Sequence, residues 1–357
     1  MPSSTSTTRP ESVRRPIAIT QGDAAGIGPE IIARAWLQQP QALSGTFVVG
    51  DRACMQRALR LTGAEQAAIA VLTDPREALT LPPRCFGLWQ IDGLDRPPPY
   101  GQLHAGSARV AADCVQWAAR AALAGDIAAL VTAPLNKAAL ALAGSPFDGF
   151  PGHTELLQAV AAEHADCTVD QMPVRMMLAN DELRVVLVTI HLGLRQALDA
   201  ITTDAVVQTL RIADAALCRA LGRRPHLALA GLNPHAGEDG RFGREEIDVL
   251  RPALDQATTA GLWVSGPHAP DTVFMRARQQ RGQNGAFDAV VALYHDQGLI
   301  PVKYLGLERG VNVTLGLPLV RTSPDHGTAF DIAGRGSADA TSLLAALEQA
   351  RRLSSAG

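Results

Sequence analysis

The stretch IAITQGDAAGIGPEII, residues 17–32, contains the pattern from which the fold class can be predicted. Its first four residues form an apolar, β-branched run of the length typical of a buried strand. A glycine-rich turn follows, and Pro29 then fits the first turn of a helix, where its missing N–H is not needed. We therefore predict a strand, a tight turn and a helix, which together form the repeating unit of an α/β sheet. The turn is either a simple connection or a place where backbone N–H groups approach a ligand.

The same alternation continues along the chain. Further strand-like runs lie at residues 46–49, 128–131, 185–190, 226–230, 289–293 and 311–315. Helix-like segments lie at residues 105–124, 154–163, 203–221, 244–260 and 339–352. Apolar strands separated by helices are typical of a mostly parallel, doubly wound sheet with helices on both faces. In such sheets ligands collect outside the carboxyl ends of the strands.

Composition narrows the class of protein. The chain has 357 residues, of which 47% are hydrophobic and 19% charged, so it can bury a large core in one or two domains. Its net charge of −3 gives no argument for a nucleic acid or an anionic membrane as partner. No apolar stretch approaches the roughly 20 residues that cross a bilayer. We expect neither a nucleic-acid nor a membrane partner.

The cysteines and the N-terminal segment bear on the location of the protein. Five scattered cysteines with no C-x-x-C pair are typical of reduced core residues, which favours a cytoplasmic location. Residues 1–15 are rich in Ser, Thr and Arg and have no apolar face, which predicts a disordered tail. An organelle transit peptide is the alternative, disfavoured by Glu11 and by the lack of an amphipathic period.

Three histidines follow three separate apolar runs: His191, His235 and His295. If those strands are parallel members of one sheet, their ends share an edge and the three imidazoles could converge. Neutral imidazole is a common ligand of divalent ions, and three protein ligands with one open position are typical of a catalytic metal site. The alternatives are three ordinary loop histidines, or ligands that meet only across a subunit interface.

Several other residues are candidates for binding an anion. The segment GHTELL (residues 152–157) opens a helix with Thr154 as a candidate N-cap, and free N–H groups at a helix start favour anions. Lys303, Asn312 and Arg321 lie in or directly after apolar runs. Lys as a point charge and Arg as a planar fork are the usual holders of phosphate or carboxylate, although singly each is more often a surface residue.

Taken together, the motifs resemble one enzyme family, 4-hydroxythreonine-4-phosphate dehydrogenase of vitamin B6 synthesis. They occur in order as GDAAGIGPEI, VTAPLNK, FPGHTE, VTIHLGL, LNPHAGEDGRFGREE, GPHAPDTVF, YHDQGLIPVKYLG and VNVTLGLPLVRTSPDHGTAFDIAG. The resemblance runs from about residue 16 to the end. One departure is Ala24, where the family usually has proline, and the N-terminal tail also lies outside the pattern.

A wider resemblance concerns the fold and the cofactor. GIGPE and HGTAFDIAG are similar to parts of isocitrate and isopropylmalate dehydrogenases, which bind NAD(P) without the G-x-G-x-x-G fingerprint that this chain also lacks. The resemblance implies a two-domain α/β/α fold with mostly parallel sheets. The first, cofactor-side domain would comprise residues 16–150 plus about 325–357. The second, about 151–324, would carry the metal and substrate residues and the dimer interface.

The resemblance also implies roles for particular residues. It places the metal ligands at His191, His235 and His295, and the substrate contacts at His153, Thr154, Lys303, Asn312 and Arg321. It places His326, Gly327, Thr328 and Asp331 near the adenosine half of NAD or NADP, and we add Gly22, Asp23 and Gly28 of the first turn as cofactor contacts. It further implies a homodimer with each active site at the subunit interface, where one divalent metal (Zn, Mg or Co) is bound by residues of both subunits.

The reaction that the resemblance implies is oxidation of 4-phosphooxy-threonine at C3 by NAD(P). Loss of CO2 would then give 3-amino-2-oxopropyl phosphate, for pyridoxal 5'-phosphate biosynthesis. A divalent ion would stabilise the alkoxide and then polarise the ketone. The general base stays open among Asp296, Asp271, Lys303 and a metal-bound water. Either aspartate could instead orient a metal-bound histidine.

Other functions compete with this one. The nearest is a dehydrogenase of the same family acting on a phosphothreonate, a phosphoerythronate or a cyclic dihydrodiol acid. A metal-dependent hydrolase with a three-histidine site is another, disfavoured by GIGPE and HGTAFDIAG. A non-catalytic phosphoester-binding protein would not need the three histidines.

Overall fold

The computed structural model describes residues 14–82, 84–279 and 285–354. Most of the predicted N-terminal tail, residues 1–13, lies outside the described residues. Within them, no helix has both the length and the apolar character needed to cross a bilayer.

The described residues form α-helices and β-strands in alternation. The strands are β1 (Ile17–Thr20), β2 (Thr46–Gly50), β3 (Ala68–Val71), β4 (Cys85–Gln90), β5 (Ala129–Thr132), β6 (Arg175–Ala179), β7 (Arg184–Leu187), β8 (Leu227–Ala230), β9 (Val264–His268), β10 (Ala289–Ala292), β11 (Val311–Leu315) and β12 (Arg321–Pro324). The α-helices are α1 (Gly28–Gln38), α2 (Arg52–Leu61), α3 (Ala105–Ala124), α4 (Lys137–Leu140), α5 (His153–His164), α6 (Leu194–Ala200), α7 (Thr203–Leu221), α8 (Arg251–Thr259), α9 (Val273–Ala277), α10 (His295–Tyr304) and α11 (Thr341–Ser354).

All twelve strands belong to one sheet, in the order β3-β4-β2-β1-β5-β12-β11-β6-β7-β10-β8-β9. Strand pairing is parallel throughout both outer parts of the sheet, which confirms the predicted α/β class. It is antiparallel where β12, β11, β6 and β7 meet in the middle. The sheet is therefore continuous across the two predicted domains, because the central antiparallel strands hydrogen-bond one half to the other.

The two faces of the central strands have different neighbours. Asn312 pairs with Ser323, and Thr314 pairs with Arg321, so these four side chains share one face. Thr322 points to the other face, where its hydroxyl donates to the Ala346 carbonyl of α11 over 2.8 Å. Helix α11 covers that second face, and the first stays open for a ligand.

The C-terminal part of the chain returns to its beginning. Helix α11 packs on β12, β5 and α1. The backbone N–H of Ile27 donates to the Thr328 carbonyl over 3.0 Å, and that of Ala338 donates to the buried Glu30 carboxylate over 2.8 Å. These contacts are the ones that a discontinuous first domain would need, and the predicted domain boundaries themselves stay a prediction.

Candidate active site

A cavity of about 400 Å³ lies over the open face of the central strands. Seven of the eight predicted metal and substrate residues line it: His153, Thr154, His191, His295, Lys303, Asn312 and Arg321. The predicted cofactor residues His326 and Gly327 lie at the same cavity. The eighth residue, His235, does not line it.

Arg321 is the buried charge of this cavity, with 4% of its surface exposed. Its guanidinium donates to the Thr132 hydroxyl over 3.1 and 2.8 Å and to the Thr314 hydroxyl over 3.1 Å. Within the described residues no carboxylate forms an ion pair with it. Burial lowers the pKa of Arg321 to about 10. A desolvated cation without a counter-ion is costly, so an anionic ligand would find its partner here.

The N-terminus of α5 faces the same cavity. The helix begins at His153 with Gly152 as N-cap, and no side chain caps it, so its first N–H groups are available to a ligand. The predicted N-cap role of Thr154 is therefore wrong, because Thr154 lies in the first turn. The buried Nε2 of His153 has no hydrogen-bond partner in the described part of the chain. Burial, helped by Arg321 and Lys137, lowers the pKa of His153 to about 3, which keeps the ring neutral.

Two of the three predicted metal ligands lie together. The ring centroids of His191 and His295 are 5.9 Å apart. Nδ1 of His295 lies 2.7 Å from a carboxylate oxygen of Asp296, which leaves Nε2 of that ring to face a ligand. The geometry thus favours Asp296 as the residue that orients His295, one of the two roles the sequence left open.

His235 lies in an unusual turn after β8. Residues 235–239 all have positive φ, and four of them are not glycine, a backbone conformation that is strained for L-residues. The buried Glu246 carboxylate accepts hydrogen bonds from the N–H groups of Leu232 and Asn233, each over 2.7 Å, and so holds the base of the turn. His235 is exposed in this turn and does not line the cavity that His191 and His295 share. Within the described residues no three potential ligands come together as a metal centre.

The other candidates for the general base differ in their surroundings. Lys303 lies on α10 and forms an ion pair with Asp325 over 2.8 Å at the cavity wall. Asp271 is exposed and does not line the cavity. Their predicted catalytic roles stay predictions.

The glycine-rich turn has a packing role of its own. A side chain on Gly22 would meet the Pro134 carbonyl, and one on Gly28 would meet the Gln21 carbonyl. Asp23 is fully buried and accepts a hydrogen bond of 2.6 Å from Ser107. Burial raises the pKa of Asp23 above its ordinary value. Close packing thus accounts for glycine at positions 22 and 28 and for the buried Asp23. The predicted cofactor contacts of these residues stay predictions.

The other predicted cofactor residues lie in the loop after β12. His326, Gly327 and Asp331 are exposed, whereas Thr328 is buried against the turn at Gly26. Hydrogen bonding through Thr328 fixes the loop on the first half of the sheet, beside the cavity.

Among the cavity residues that were not predicted from the sequence, four polar ones lie beside the proposed anion site. Thr132 and Thr314 hold Arg321, and the charged Lys137 and Glu155 line the wall near Gly152. Lys137 and Glu155 belong to the motifs VTAPLNK and FPGHTE, so the signal was present. Only the positions of α4 and α5 show that both face the ligand space.

The fold and the cavity together define an α/β protein with a cavity over the middle of its sheet, where a buried arginine and an uncapped helix N-terminus would suit a small anion. The chain belongs to the family of the pyridoxal phosphate biosynthetic protein PdxA, whose model matches residues 42–350.

Individual relatives carry two different activity names. The chain is 47% identical to 4-hydroxythreonine-4-phosphate dehydrogenase of Beijerinckia indica, over 95% of each chain. It is 42% identical to D-threonate 4-phosphate dehydrogenase of Salmonella typhimurium, over 94% of this chain and 98% of that one. The crystal structure of 4-hydroxythreonine-4-phosphate dehydrogenase from Klebsiella pneumoniae superimposes with a TM-score of 0.84 at 40% identity, over 95% of this chain and 99% of that one.

Proposed function

We propose that the chain oxidises 4-phosphooxy-threonine at C3 with NAD or NADP, and that loss of CO2 then gives 3-amino-2-oxopropyl phosphate for pyridoxal 5'-phosphate biosynthesis. The observation that carries the proposal is the buried Arg321, which has no ion pair among the residues that the structure describes, in one cavity with the His191–His295 pair. A phosphate would supply the negative charge that Arg321 lacks. The two imidazoles would hold a divalent ion at the hydroxyl of the carbon that is oxidised. The activity name of the 47% identical relative supports the same reaction.

The phosphate would bind between Arg321 and the N-terminus of α5. The guanidinium fork, the free N–H groups of α5 and the side chains of Thr154 and Asn312 are donors on the cavity wall. Neutral His153 can donate one further hydrogen bond through its unpartnered Nε2. This set of donors favours an anion of phosphate size.

A divalent ion would be held by His191 and His295, with His235 of the partner subunit as third ligand. The residues of one chain fit such an ion in part, since two imidazoles face each other and Asp296 orients one of them. When bound, the ion would lower the pKa of the substrate hydroxyl and polarise the ketone formed from it. Asp296 would fix the ring of His295, and the ion pair of Lys303 with Asp325 would form part of the cavity wall.

A homodimer would supply that third ligand. Large apolar side chains near His191 and Lys303 in the chain are exposed, with Leu194 at 60%, Ile300 at 64% and Tyr304 at 90%. Such a surface is typical of one that a second subunit covers. We propose that this face is the dimer interface and that each active site lies against it.

The nicotinamide cofactor would bind beside the substrate, on the loop that contains His326, Gly327, Thr328 and Asp331. The loop rests on the Gly26 turn, so both segments would be positioned by the same packing. The choice between NAD and NADP, like the cytoplasmic location, stays a prediction.

A second candidate is the oxidation of a phosphorylated hydroxy acid such as threonate 4-phosphate, the substrate in the name of the 42% identical relative. The two substrates differ at C2, where one carries an ammonium group and the other a hydroxyl.

The test is formation of reduced cofactor by purified protein with a divalent ion and NAD+ or NADP+. We expect NADH or NADPH with 4-phosphooxy-threonine, and its loss after chelation with recovery on addition of metal. Absence of reduced cofactor with any phosphorylated hydroxy acid would contradict the dehydrogenase proposal.

A further inference from the structure

We infer that Glu155 selects a substrate that carries an ammonium group beside its anionic groups. The inference rests on the proposed function and names the substrate within it. Glu155 would favour 4-phosphooxy-threonine over threonate 4-phosphate.

Glu155 lies in the first turn of α5 and lines the cavity. One of its carboxylate oxygens is 3.5 Å from the point that a Cβ on Gly152 would occupy, and Cε of Lys137 is 3.7 Å from the same point. Both side chains therefore lie beside Gly152, at the wall where α4 and α5 begin. The charge of Glu155 also reaches Arg321, because it partly offsets the lowering of the arginine pKa by burial.

The carboxylate of Glu155 has no partner of its own. Within residues 14–82, 84–279 and 285–354 it forms neither a hydrogen bond nor an ion pair. In particular, it does not cap the N-terminus of its own helix, where the N-cap lacks a side-chain hydrogen bond. A cavity-facing carboxylate without a partner is a site for a cation or for a strong donor.

Two other charged groups of the cavity are already satisfied by the protein. Lys303 is paired with Asp325 over 2.8 Å. The guanidinium of Arg175 donates to Thr209 and Gln208, each over 2.7 Å. Neither Lys303 nor Arg175 therefore compensates Glu155.

The remaining charges match one substrate better than the other. Arg321 and Lys137 are two cations without an ion pair among the described residues, and Glu155 is one such anion. 4-Phosphooxy-threonine presents the complementary set, since it carries a phosphate, a carboxylate and one ammonium group. Threonate 4-phosphate has both anionic groups but a hydroxyl at C2, so Glu155 would be desolvated without a cation.

The experiment compares two substrates with two variants of the full-length protein. Glu155→Gln removes the charge and keeps the shape. Glu163→Gln is the matched control, because Glu163 lies on the same helix, is exposed and faces Arg120 at 3.7 Å. For each protein, kcat and KM are measured with both substrates, and substrate affinity is measured by calorimetry without NAD(P).

We expect Glu155→Gln to lower kcat/KM for 4-phosphooxy-threonine by about 10- to 100-fold, mainly through KM. The value for threonate 4-phosphate should stay within about twofold or rise, since a neutral amide removes the unpaired charge. The affinity measured by calorimetry should follow the same pattern, and Glu163→Gln should resemble the wild type with both substrates.

Other outcomes would overturn the inference. An equal loss with both substrates, or no change in their ratio, would mean that Glu155 acts only on the helix or on the cavity as a whole. Failure of the proposed function would look different, because the wild-type protein would then form no NADH or NADPH with either substrate.

Discussion

Arg321→Met separates the binding role of Arg321 from a structural one. Burial lowers the pKa of this arginine from its ordinary value to about 10, a shift that corresponds to about 3 kcal/mol against the charged form. Methionine removes that penalty but leaves the hydroxyls of Thr132 and Thr314 without their donor, at about 1 kcal/mol each. The effects nearly offset, so we expect the free energy of unfolding to stay within about 1 kcal/mol of the wild type.

The same substitution should strongly reduce phosphate binding. An arginine fork makes two charge-assisted hydrogen bonds with phosphate, each worth about 1.5–3 kcal/mol, so affinity should fall at least about 100-fold. Urea unfolding in phosphate-free buffer measures the free energy of unfolding, and calorimetry with 4-phosphooxy-threonine measures the substrate affinity. Arg120→Met, on the exposed surface, is the control. A variant that unfolds easily yet binds the substrate as the wild type does would refute the reasoning, since Arg321 would then be structural.

Three further predictions follow from the same geometry. Because the pKa of His153 is about 3 in the folded chain against 6.5 ordinarily, the unfolded chain takes up this proton first on acidification. The free energy of unfolding should therefore fall as the pH drops from 6.5 towards 3. His153→Gln should make this pH dependence shallower when urea unfolding is measured at each pH. An unchanged pH dependence would contradict a neutral, buried His153 ring. The His191→Ala and His235→Ala variants should each bind metal weakly on their own. A dimer with one subunit of each variant should regain one intact metal site, which calorimetric titration with metal would measure. No recovery would contradict a site with ligands from two subunits. Glu246→Ala should lower the free energy of unfolding by about 2–3 kcal/mol, because the hydrogen bonds at the base of the His235 turn are lost. An unchanged free energy of unfolding would mean that Glu246 does not stabilise the turn.

Much of the site could be predicted because it follows buried strands. Strands β7, β10 and β8 are parallel neighbours, so the residues that follow them emerge at one edge, as the sequence predicts for His191 and His295. The position of His235 outside the cavity of its own chain could not be predicted from the apolar pattern, because it depends on a run of left-handed backbone conformations. Only the alternative of ligands from two subunits left room for it. Apolar periodicity carries no signal for such a turn.

The missed strand β12 shows a second limit. Its sequence RTSP is polar, yet all four residues are buried, because Arg321 and Ser323 face the cavity while Thr322 reaches α11. A search for apolar runs passes over a strand whose polar side chains serve a site. The direction of β11 and β6, which joins the halves into one sheet, is likewise set by tertiary pairing rather than by local sequence.

The most direct measurement is the stoichiometry of the reaction on 4-phosphooxy-threonine with purified protein, a divalent ion and NAD(P)+. The proposal predicts one reduced cofactor and one CO2 for each substrate consumed, together with 3-amino-2-oxopropyl phosphate identified by mass spectrometry. Release of inorganic phosphate without reduced cofactor would indicate a hydrolase. That result would contradict the proposal that this cavity oxidises a phosphorylated alcohol.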